Sequence, residues 1–254
     1  MRPLLLFWLL TVTVPIAYGQ SIASKVYSWS QVPVVRQTGY EERTLLDGTT
    51  TDLANLTVQA VTLPANQPAQ SSQQLDEETL LIIRTGKLTL TLGEKTKTLG
   101  PGSVAVIMPG DAHRLENKSK EPLTYYLMRY TSNDMPDLDL YRLAGGSFWV
   151  DWNEVPYTPH DKGGIRRMFD CATVMTKRAE MHVTTLNPGL WSHLPHTHRA
   201  AELLFMIENT AHEQIGGVLQ RAEAGDLIFL EANVPHAIQN SSQGTCTYIA
   251  FQFE

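Results

Sequence analysis

Cysteine is almost absent from this chain, which has only Cys171 and Cys246 among its 254 residues. Two cysteines cannot supply the dense disulfide framework of a small secreted scaffold, nor a zinc site built from three or four thiolates. Their separation leaves two interpretations open, because the sequence does not give the geometry that a disulfide bond requires. Cys171 and Cys246 either form one disulfide or remain two buried free thiols.

Runs of lysine and arginine are also missing, and the formal net charge is −6. A protein that binds nucleic acid regardless of base sequence needs a basic face that neutralises the phosphates. The composition therefore excludes that class of protein. We expect a small molecule, and no nucleic acid, as the partner.

A hydrophobic run long enough to span a membrane is missing as well. The longest apolar stretch, Leu4 to Ala17, follows Arg2 and ends at the small residues of Ala17-Tyr18-Gly19. A bilayer span needs about 20 apolar residues, whereas this order of segments is typical of a secretory signal peptide. We therefore predict a signal peptide in residues 1–19 and a secreted or periplasmic protein that is not held in a membrane after cleavage.

No amphipathic helical pattern of 12 or more residues occurs in the chain. The sequence instead contains short apolar or alternating runs bounded by Gly, Pro, Asn and Asp, which is the pattern of an all-β protein. The clearest predicted strands are Leu88–Leu92, Val104–Ile107, Gln214–Leu219 and Leu227–Leu230.

The chain repeats itself at a constant offset of 123 residues without gaps. The matching pairs include Trp29/Trp152, Arg43/Arg166, Gly102/Gly225, His113/His236, Asn117/Asn240 and Tyr125/Tyr248. A duplicated series of short strands predicts two tandem jelly-roll β-barrels. We expect an N-terminal barrel in residues 20–131, and a linker followed by a C-terminal barrel in residues 132–254.

Each half begins with a leader that contains a tryptophan, Trp29 in the first and Trp152 in the second. Tryptophan buries a large area when it packs. We predict that each tryptophan is a docking contact, either on a barrel or on its partner, and not part of a ligand site.

The second half carries a cluster of candidate metal ligands that the first half lacks. His196, His198 and Glu202 correspond to Gln73, Leu75 and Thr79, and His236 completes the set. If His196 and His198 lie on one strand, their side chains point to the same side. Three imidazoles and a carboxylate suit divalent manganese, iron, nickel, cobalt or zinc.

The spacing of these residues resembles the two-part signature of the cupin family. The second half matches it at Gly189, His196, His198, Glu202, Gly225, His236 and Asn240. Asn209 and Asn233 stand where the signature has glycine, and asparagine tolerates the left-handed backbone that such turns require. The first half keeps matching residues at Gly86, Gly102, Gly110, His113 and Asn117. The resemblance therefore implies a bicupin with one metal-binding barrel and one degenerate barrel, and a homodimer is a further expectation from it.

Two further histidines are candidates for acid–base chemistry or substrate contact. His182 corresponds to Gln59 and His193 to Gln70. The alternative interpretation is that both are solvated or hydrogen-bonded strand residues. Glu180 and Arg199 are interpreted as ordinary surface charges.

The resemblance leaves the reaction open, since one fold supports many chemistries. The overall plan is similar to that of the ureidoglycine aminohydrolases, but the ligand set resembles that of dioxygenases, decarboxylases and isomerases. We favour a secreted metal-dependent enzyme for a small polar or anionic molecule, with manganese or iron ahead of nickel, cobalt or zinc. The alternative is a non-catalytic protein that binds a sugar or an organic acid through its metal.

Overall fold

The computed structural model describes residues 19–69, 71–139, 143 and 146–254, and strands dominate them. The first half contains β1 (Lys25–Tyr27), β2 (Val35–Gln37), β3 (Tyr40–Gly48), β4 (Leu53–Leu63), β5 (Glu78–Thr85), β6 (Leu88–Leu92), β7 (Lys95–Leu99), β8 (Val104–Ile107), β9 (His113–Glu116) and β10 (Leu123–Ser132). The predicted signal peptide lies outside the described residues except for Gly19.

The second half follows the same order. It contains β11 (Phe148–Val150), β12 (Thr158–His160), β13 (Gly163–Cys171), β14 (Ala179–Leu186), β15 (Ala201–Glu208), β16 (Thr210–Ile215), β17 (Val218–Glu223), β18 (Leu227–Leu230), β19 (His236–Asn240) and β20 (Cys246–Phe253). Short 3-10 turns at Trp29–Gln31 and Trp152–Glu154 open the two halves. No helix in the described part of the chain is long and apolar enough to cross a membrane.

Each half forms a jelly-roll of two sheets. In the first, a seven-stranded sheet (β11-β8-β5-β10-β4-β3-β2) faces a three-stranded sheet (β7-β6-β9). In the second, the corresponding sheets are β1-β18-β15-β20-β14-β13-β12 and β17-β16-β19. The prediction of an all-β fold with two tandem barrels related by an internal repeat is confirmed.

The two halves exchange their leader strands. β1, from the start of the chain, pairs antiparallel with β18 of the second barrel. β11, from the second leader, pairs antiparallel with β8 of the first barrel. Each large sheet is therefore completed at one edge by a strand that precedes the other barrel in sequence.

The tryptophans follow the same exchange. The Trp29 backbone N–H donates to Asp226 Oδ1 at 2.8 Å, and the Trp152 N–H donates to Ser103 Oγ at 3.1 Å. The Trp152 ring covers Gly102 so closely that a Cβ atom there would lie 2.3 Å from it. Each leader therefore contacts the barrel that does not follow it in sequence. This is one of the two arrangements that the sequence predicted for the tryptophans.

Three apolar cores hold the molecule together. The inner cores of the first and second barrels centre on residues such as Leu90 and Ile238 respectively. The third core lies between the barrels and joins residues from the outer faces of both large sheets. Within it, the Tyr126 and Phe205 rings are 4.9 Å apart, and the Tyr126 hydroxyl donates to the Gly225 carbonyl oxygen.

Two sequence expectations are resolved or corrected. The predicted strand Gln214–Leu219 is wrong, because Gly216 and Gly217 adopt φ of +57° and +90° and turn the chain between β16 and β17. Cys171 and Cys246 are both free, the first half-buried and the second buried, so they form no disulfide.

Candidate metal centre

The four predicted ligands come from three segments of the C-terminal barrel. Glu202 is the second residue of β15 and His236 the first of β19. His196 and His198 do not lie on a strand, contrary to the expectation, but in the segment that leads into β15. An isolated bridge between His196 and His236, with backbone hydrogen bonds in both directions, holds this segment against β19.

The ligand atoms converge at Glu202. Its Oε2 lies 3.2 Å from His236 Nε2 and 3.4 Å from His198 Nε2. The His196 ring centroid is 4.9 Å from that of His236 and 5.4 Å from that of His198. The structure thus places the four predicted ligands in one neighbourhood, with His198 and His236 at Glu202 and with His196 joined to them through His236.

Backbone carbonyls orient two of the imidazoles. His198 Nδ1 lies 2.8 Å from the Ala200 carbonyl oxygen, and His236 Nδ1 lies 2.9 Å from that of Val234. Because a carbonyl only accepts, each Nδ1 carries a hydrogen, so that the Nε2 of the neutral ring would be free to bind a metal ion beside Glu202. In metal sites, such a hydrogen bond from the nitrogen that does not bind the ion holds the ring in its orientation.

These contacts fit a cation and disfavour an empty centre. The buried His198 Nε2 has no hydrogen-bond partner among the described residues. It lies 3.4 Å from Glu202 Oε2, but the two atoms do not have hydrogen-bonding geometry. An octahedral ion with bonds of about 2.1 Å holds adjacent ligand atoms about 3 Å apart, close to the distances observed here. A divalent ion therefore fits this donor set.

The electrostatics of the cluster favour the ligand forms of Glu202, His193 and His196, whereas the hydrogen bond to Glu202 and its charge raise the pKa of His198. Burial raises the pKa of Glu202, but hydrogen bonding and charge from His198 and His236 outweigh burial and hold the net pKa below the ordinary value. Burial lowers the pKa of His193 and His196. A carboxylate and neutral imidazoles are the species that bind a metal ion.

His193, a predicted acid–base residue, lies beside the ligands. Its Nδ1 is 2.9 Å from His196 Nδ1, and its ring centroid is 6.0 Å from that of His236. Potential ligand atoms of His193, His196 and His236 all lie within 4.8 Å of one another, as do those of His198, Glu202 and His236. His236 therefore belongs to both groups of potential metal ligands. His193 lies close enough to His196 and His236 to bind the same ion.

His182, the other predicted acid–base residue, lines the same cavity and has a carboxylate partner. Its Nδ1 lies 3.0 Å from each oxygen of Glu180. The interpretation of Glu180 as a surface charge is wrong, because only 9% of the residue is exposed. Arg199 is exposed, as expected, and forms two hydrogen bonds to Asp52 of the first barrel at 2.6 and 2.7 Å.

The cavity above the cluster has a volume of about 220 Å³, and its wall combines polar side chains with Leu186, Leu204 and Ile238. Besides the histidines and Glu202, polar groups on its wall include His160, Thr184, Ser192, Glu213, Tyr248 and Gln252. Sequence reasoning missed these residues. The signal for Glu213 was present in the repeat, because Leu90 occupies the corresponding position in the first half.

The first barrel preserves the scaffold of this centre without its ligands. Gln73 bridges His113 with the same pair of backbone hydrogen bonds that joins His196 to His236. Its cavity is larger, about 960 Å³, and is lined by Gln73, Thr79, His113 and Arg129 among others. In the described part of the chain, both groups of three ligand atoms lie in the second barrel.

Several solved structures share this architecture. AerE from Microcystis aeruginosa has a TM-score of 0.68 at 14% identity, covering 88% of this chain and 97% of that one. Bacillus subtilis oxalate decarboxylase, with its Mn(II) centres, has 0.69 at 12%, covering 94% and 80%. Lactobacillus farciminis oxalate decarboxylase in its formate complex has 0.68 at 12%, covering 94% and 88%. At such identities the likeness concerns the fold alone.

Sequence comparison identifies the family. Curated protein sequences provide no significant match to the chain. The cupin-domain family matches it twice, over residues 60–129 and 182–251, one match in each barrel. Together the two matches span more than half of the 254 residues. This chain belongs to the cupin family and is a bicupin.

Proposed function

We propose that the protein is a metal-dependent enzyme whose single active site lies in the C-terminal barrel and whose substrate is a small organic acid. The observation that carries this proposal is the convergence of two imidazole Nε2 atoms on Glu202 Oε2, at 3.2 and 3.4 Å. His196, His198, Glu202 and His236 would hold the ion, with His193 beside them.

Manganese or iron suits this donor set best. Imidazole nitrogen and carboxylate oxygen are ligands that both metals accept, and the described part of the site contributes no thiolate. The fold is shared with an oxalate decarboxylase that has Mn(II) centres. When bound, the ion would polarise a carboxylate or carbonyl oxygen of the substrate or activate a water molecule.

The cavity wall favours catalysis over simple binding. A non-catalytic organic-acid or sugar site could be mainly apolar beyond its metal, whereas this wall carries groups able to move protons. His182 is the best candidate, because Glu180 accepts from its Nδ1 and orients the other ring nitrogen, as a carboxylate does for a catalytic histidine. We assign the role of acid–base residue to His182 and of auxiliary ligand or acid–base residue to His193.

The substrate class follows from size and chemistry. A cavity of about 220 Å³ admits a molecule of only a few carbon atoms. A carboxylate would bind the ion through oxygen, and the fold is shared with oxalate decarboxylase in a formate complex. Decarboxylation, oxidative cleavage and isomerisation of small acids are the reactions to test first.

We further propose that the enzyme acts outside the cytoplasm, directed there by residues 1–19. The sequence of charge, apolar stretch and small residues supports this location. Determination of the N-terminus of the protein recovered from the secreted fraction should give Gln20.

Metal content tests the ligand assignment directly. Even residues behind the ligands typically contribute 10–100-fold to metal affinity, so loss of a ligand should cost at least as much. We expect about one manganese or iron per wild-type chain by mass spectrometry of the purified protein, and at least a tenfold lower occupancy in His236→Ala and His198→Ala. His212→Ala, on the β16 strand but outside the cavity lining, is the matched control and should retain the metal.

Full occupancy in both ligand variants would contradict the assignment. Turnover is then examined with the metal-loaded protein and a panel of two- to five-carbon acids, following oxygen uptake, carbon dioxide release and isomer formation. Metal binding without conversion of any acid would favour the non-catalytic binding function.

A further inference from the structure

Glu213 is a buried carboxyl group that the proposed centre does not use. It lies in the middle of β16, where Ala211, Glu213 and Ile215 point inward and alternate with His212 and Gln214. Its exposure is 0%, yet it lines the same cavity as the ligand cluster. Its cross-strand neighbour on β19 is Ile238, two residues beyond His236.

This carboxyl is unpaired within the part of the chain that the structure describes. Among the described residues, neither Oε1 nor Oε2 of Glu213 has a hydrogen-bond partner. Burial raises the pKa of Glu213 well above its ordinary value, and the charge of Glu202 adds to the effect. The Ala237 amide lies close enough to lower that pKa a little, but it is not in hydrogen-bonding geometry.

The internal repeat supplies a control for this position. The residue at the corresponding place in the first barrel is Leu90, which is fully buried in the inner core of that barrel. The fold therefore accepts a leucine here, and an unpaired carboxyl costs stability that leucine does not. Since stability does not explain Glu213 and the described residues offer it no partner, we look for that partner in a molecule that enters the cavity.

The position of Glu213 indicates which chemical group its partner presents to it. His196, Glu202 and His236 of the ligand cluster line one part of the cavity, and Glu213 reaches the same space from β16. A molecule held at the cluster by oxygen would therefore present another of its groups to Glu213. A hydroxyl group suits Glu213 in either protonation state, because it can donate to a carboxylate and can also accept from a protonated carboxyl, whereas an amino group donates to the carboxyl oxygen.

We propose that Glu213 binds a hydroxyl or amino group of the molecule that enters the C-terminal cavity, so that the ligand is a short acid with a hydrogen-bond donor away from its carboxylate. The metal-binding end of this ligand rests on the proposed function. The donor-binding end rests on the burial and the unpaired state of Glu213.

The first test needs no ligand. Glu213→Leu introduces the residue of the first barrel and removes the unpaired carboxyl, so we expect the melting temperature to rise by about 3–8 °C with metal content unchanged. Glu213→Gln should change it less, because the amide is still polar and unpaired. A lower melting temperature or a loss of metal in Glu213→Leu would show a structural or ligating role and overturn the proposal.

The second test measures recognition with matched pairs of acids. Calorimetric titration of the manganese-loaded protein compares 3-hydroxypropanoate with butanoate, and 4-hydroxybutanoate with pentanoate, which differ by a hydroxyl in place of a methyl group. In at least one pair, we expect the wild type to bind the hydroxy acid about 10–100-fold more tightly. Glu213→Leu should abolish this preference, and Glu213→Gln should retain part of it.

The outcomes separate the two proposals. Equal affinities within both pairs in the wild type, a preference that survives in Glu213→Leu, or no binding of any probe by the metal-loaded protein would overturn the role of Glu213. A wild-type protein without metal would instead contradict the proposed function, and the melting temperature of Glu213→Leu would still test the unpaired carboxyl.

Discussion

Asn209 and Asn233 adopt backbone conformations that most L-amino acids avoid, each with φ of +61°. Both stand where the cupin signature has glycine, and both turns keep the left-handed conformation that glycine would allow, as the sequence predicted. The side chain adds something that glycine lacks, because Asn209 Nδ2 donates to the Thr245 carbonyl oxygen at 2.7 Å. Asparagine therefore combines a tolerated conformation with a contact that closes the loop.

Substitutions at Asn209 should separate these two contributions. Asn209→Gly loses only the hydrogen bond, and we expect the free energy of unfolding to fall by about 1 kcal/mol. Asn209→Ala also forces a left-handed alanine and should lower it by about 2 kcal/mol. Urea denaturation followed by circular dichroism measures both. Asn55, on strand β4 with ordinary φ, is the control, and there the glycine variant should be the less stable one.

At the residue scale, the sequence predicted the cluster of candidate ligands that the structure brings together better than it predicted their surroundings. His196, His198, Glu202 and His236 stand at characteristic spacings, so they could be chosen without coordinates. Glu180 and Glu213 could not, because their roles depend on which strand face is inward and on partners distant in sequence. Only the comparison of Glu213 with Leu90 carried such information.

At the scale of elements, the exchanged leaders are the feature that ties the barrels together. The Trp29 ring lies beneath the Arg84 guanidinium, 4.2 Å from its carbon, and meets the Tyr126 ring edge-on. On the other side, Arg166 lies 4.4 Å from the Trp152 ring. Each tryptophan anchors a three-residue strand that would be too short to hold a sheet edge alone.

Replacement of each tryptophan should therefore loosen the opposite barrel. In Trp29→Ala we expect faster hydrogen exchange of the amides of Leu227–Leu230, and in Trp152→Ala of Val104–Ile107. Each change should also lower the free energy of unfolding by about 2–3 kcal/mol, less than for a fully buried tryptophan. The two variants are matched controls for each other. Faster exchange in the barrel that follows the altered leader, and not in the opposite one, would contradict the exchange.

Strand prediction succeeded where turn residues mark the ends of a strand. Val104–Ile107 and Leu227–Leu230 were predicted to the residue, because each is a short apolar run after a glycine turn. Gln214–Leu219 failed, because that range runs across the Gly216-Gly217 turn, whereas the 123-residue offset from Leu88–Leu92 leads to Ala211–Ile215 within β16. The exchange itself could not be predicted, because short leader sequences do not reveal which sheet edge they join.

At the scale of the whole molecule, the core between the barrels contains a buried carboxyl. Glu78 has 0% exposure, accepts a hydrogen bond from the Tyr130 hydroxyl and accepts another from the Met175 backbone N–H at 3.1 Å. Burial raises the pKa of Glu78 despite these bonds. Burial also raises the pKa of Tyr130 and of the Cys171 thiol, so both stay protonated at neutral pH.

This carboxyl should make the joint between the barrels sensitive to pH. The folded state binds the Glu78 proton more tightly than the unfolded state does, so its contribution is fully present below the ordinary carboxyl pKa and is lost as the pH rises towards the folded pKa. Glu78→Gln stays neutral, so we expect its unfolding free energy to rise relative to that of the wild type as the pH increases from 5 to 8. Guanidinium denaturation at both values measures this gain.

The comparison with Glu78→Gln isolates this group, because Glu213 and Glu202 titrate equally in both proteins. A difference between the two proteins that does not change with pH would mean that Glu78 keeps the same proton affinity on unfolding.

The exchanged leader strands also determine the order in which the two barrels can be completed during synthesis. β11 emerges shortly after β10, so the first barrel has all its strands while the rest of the chain is still being made. β1 is made first of all, but β18, the strand it pairs with, follows about 200 residues later. At translation rates of about 5–20 residues per second, β1 waits roughly 10–40 s for its partner. The earliest of the described strands is thus among the last to reach its final position.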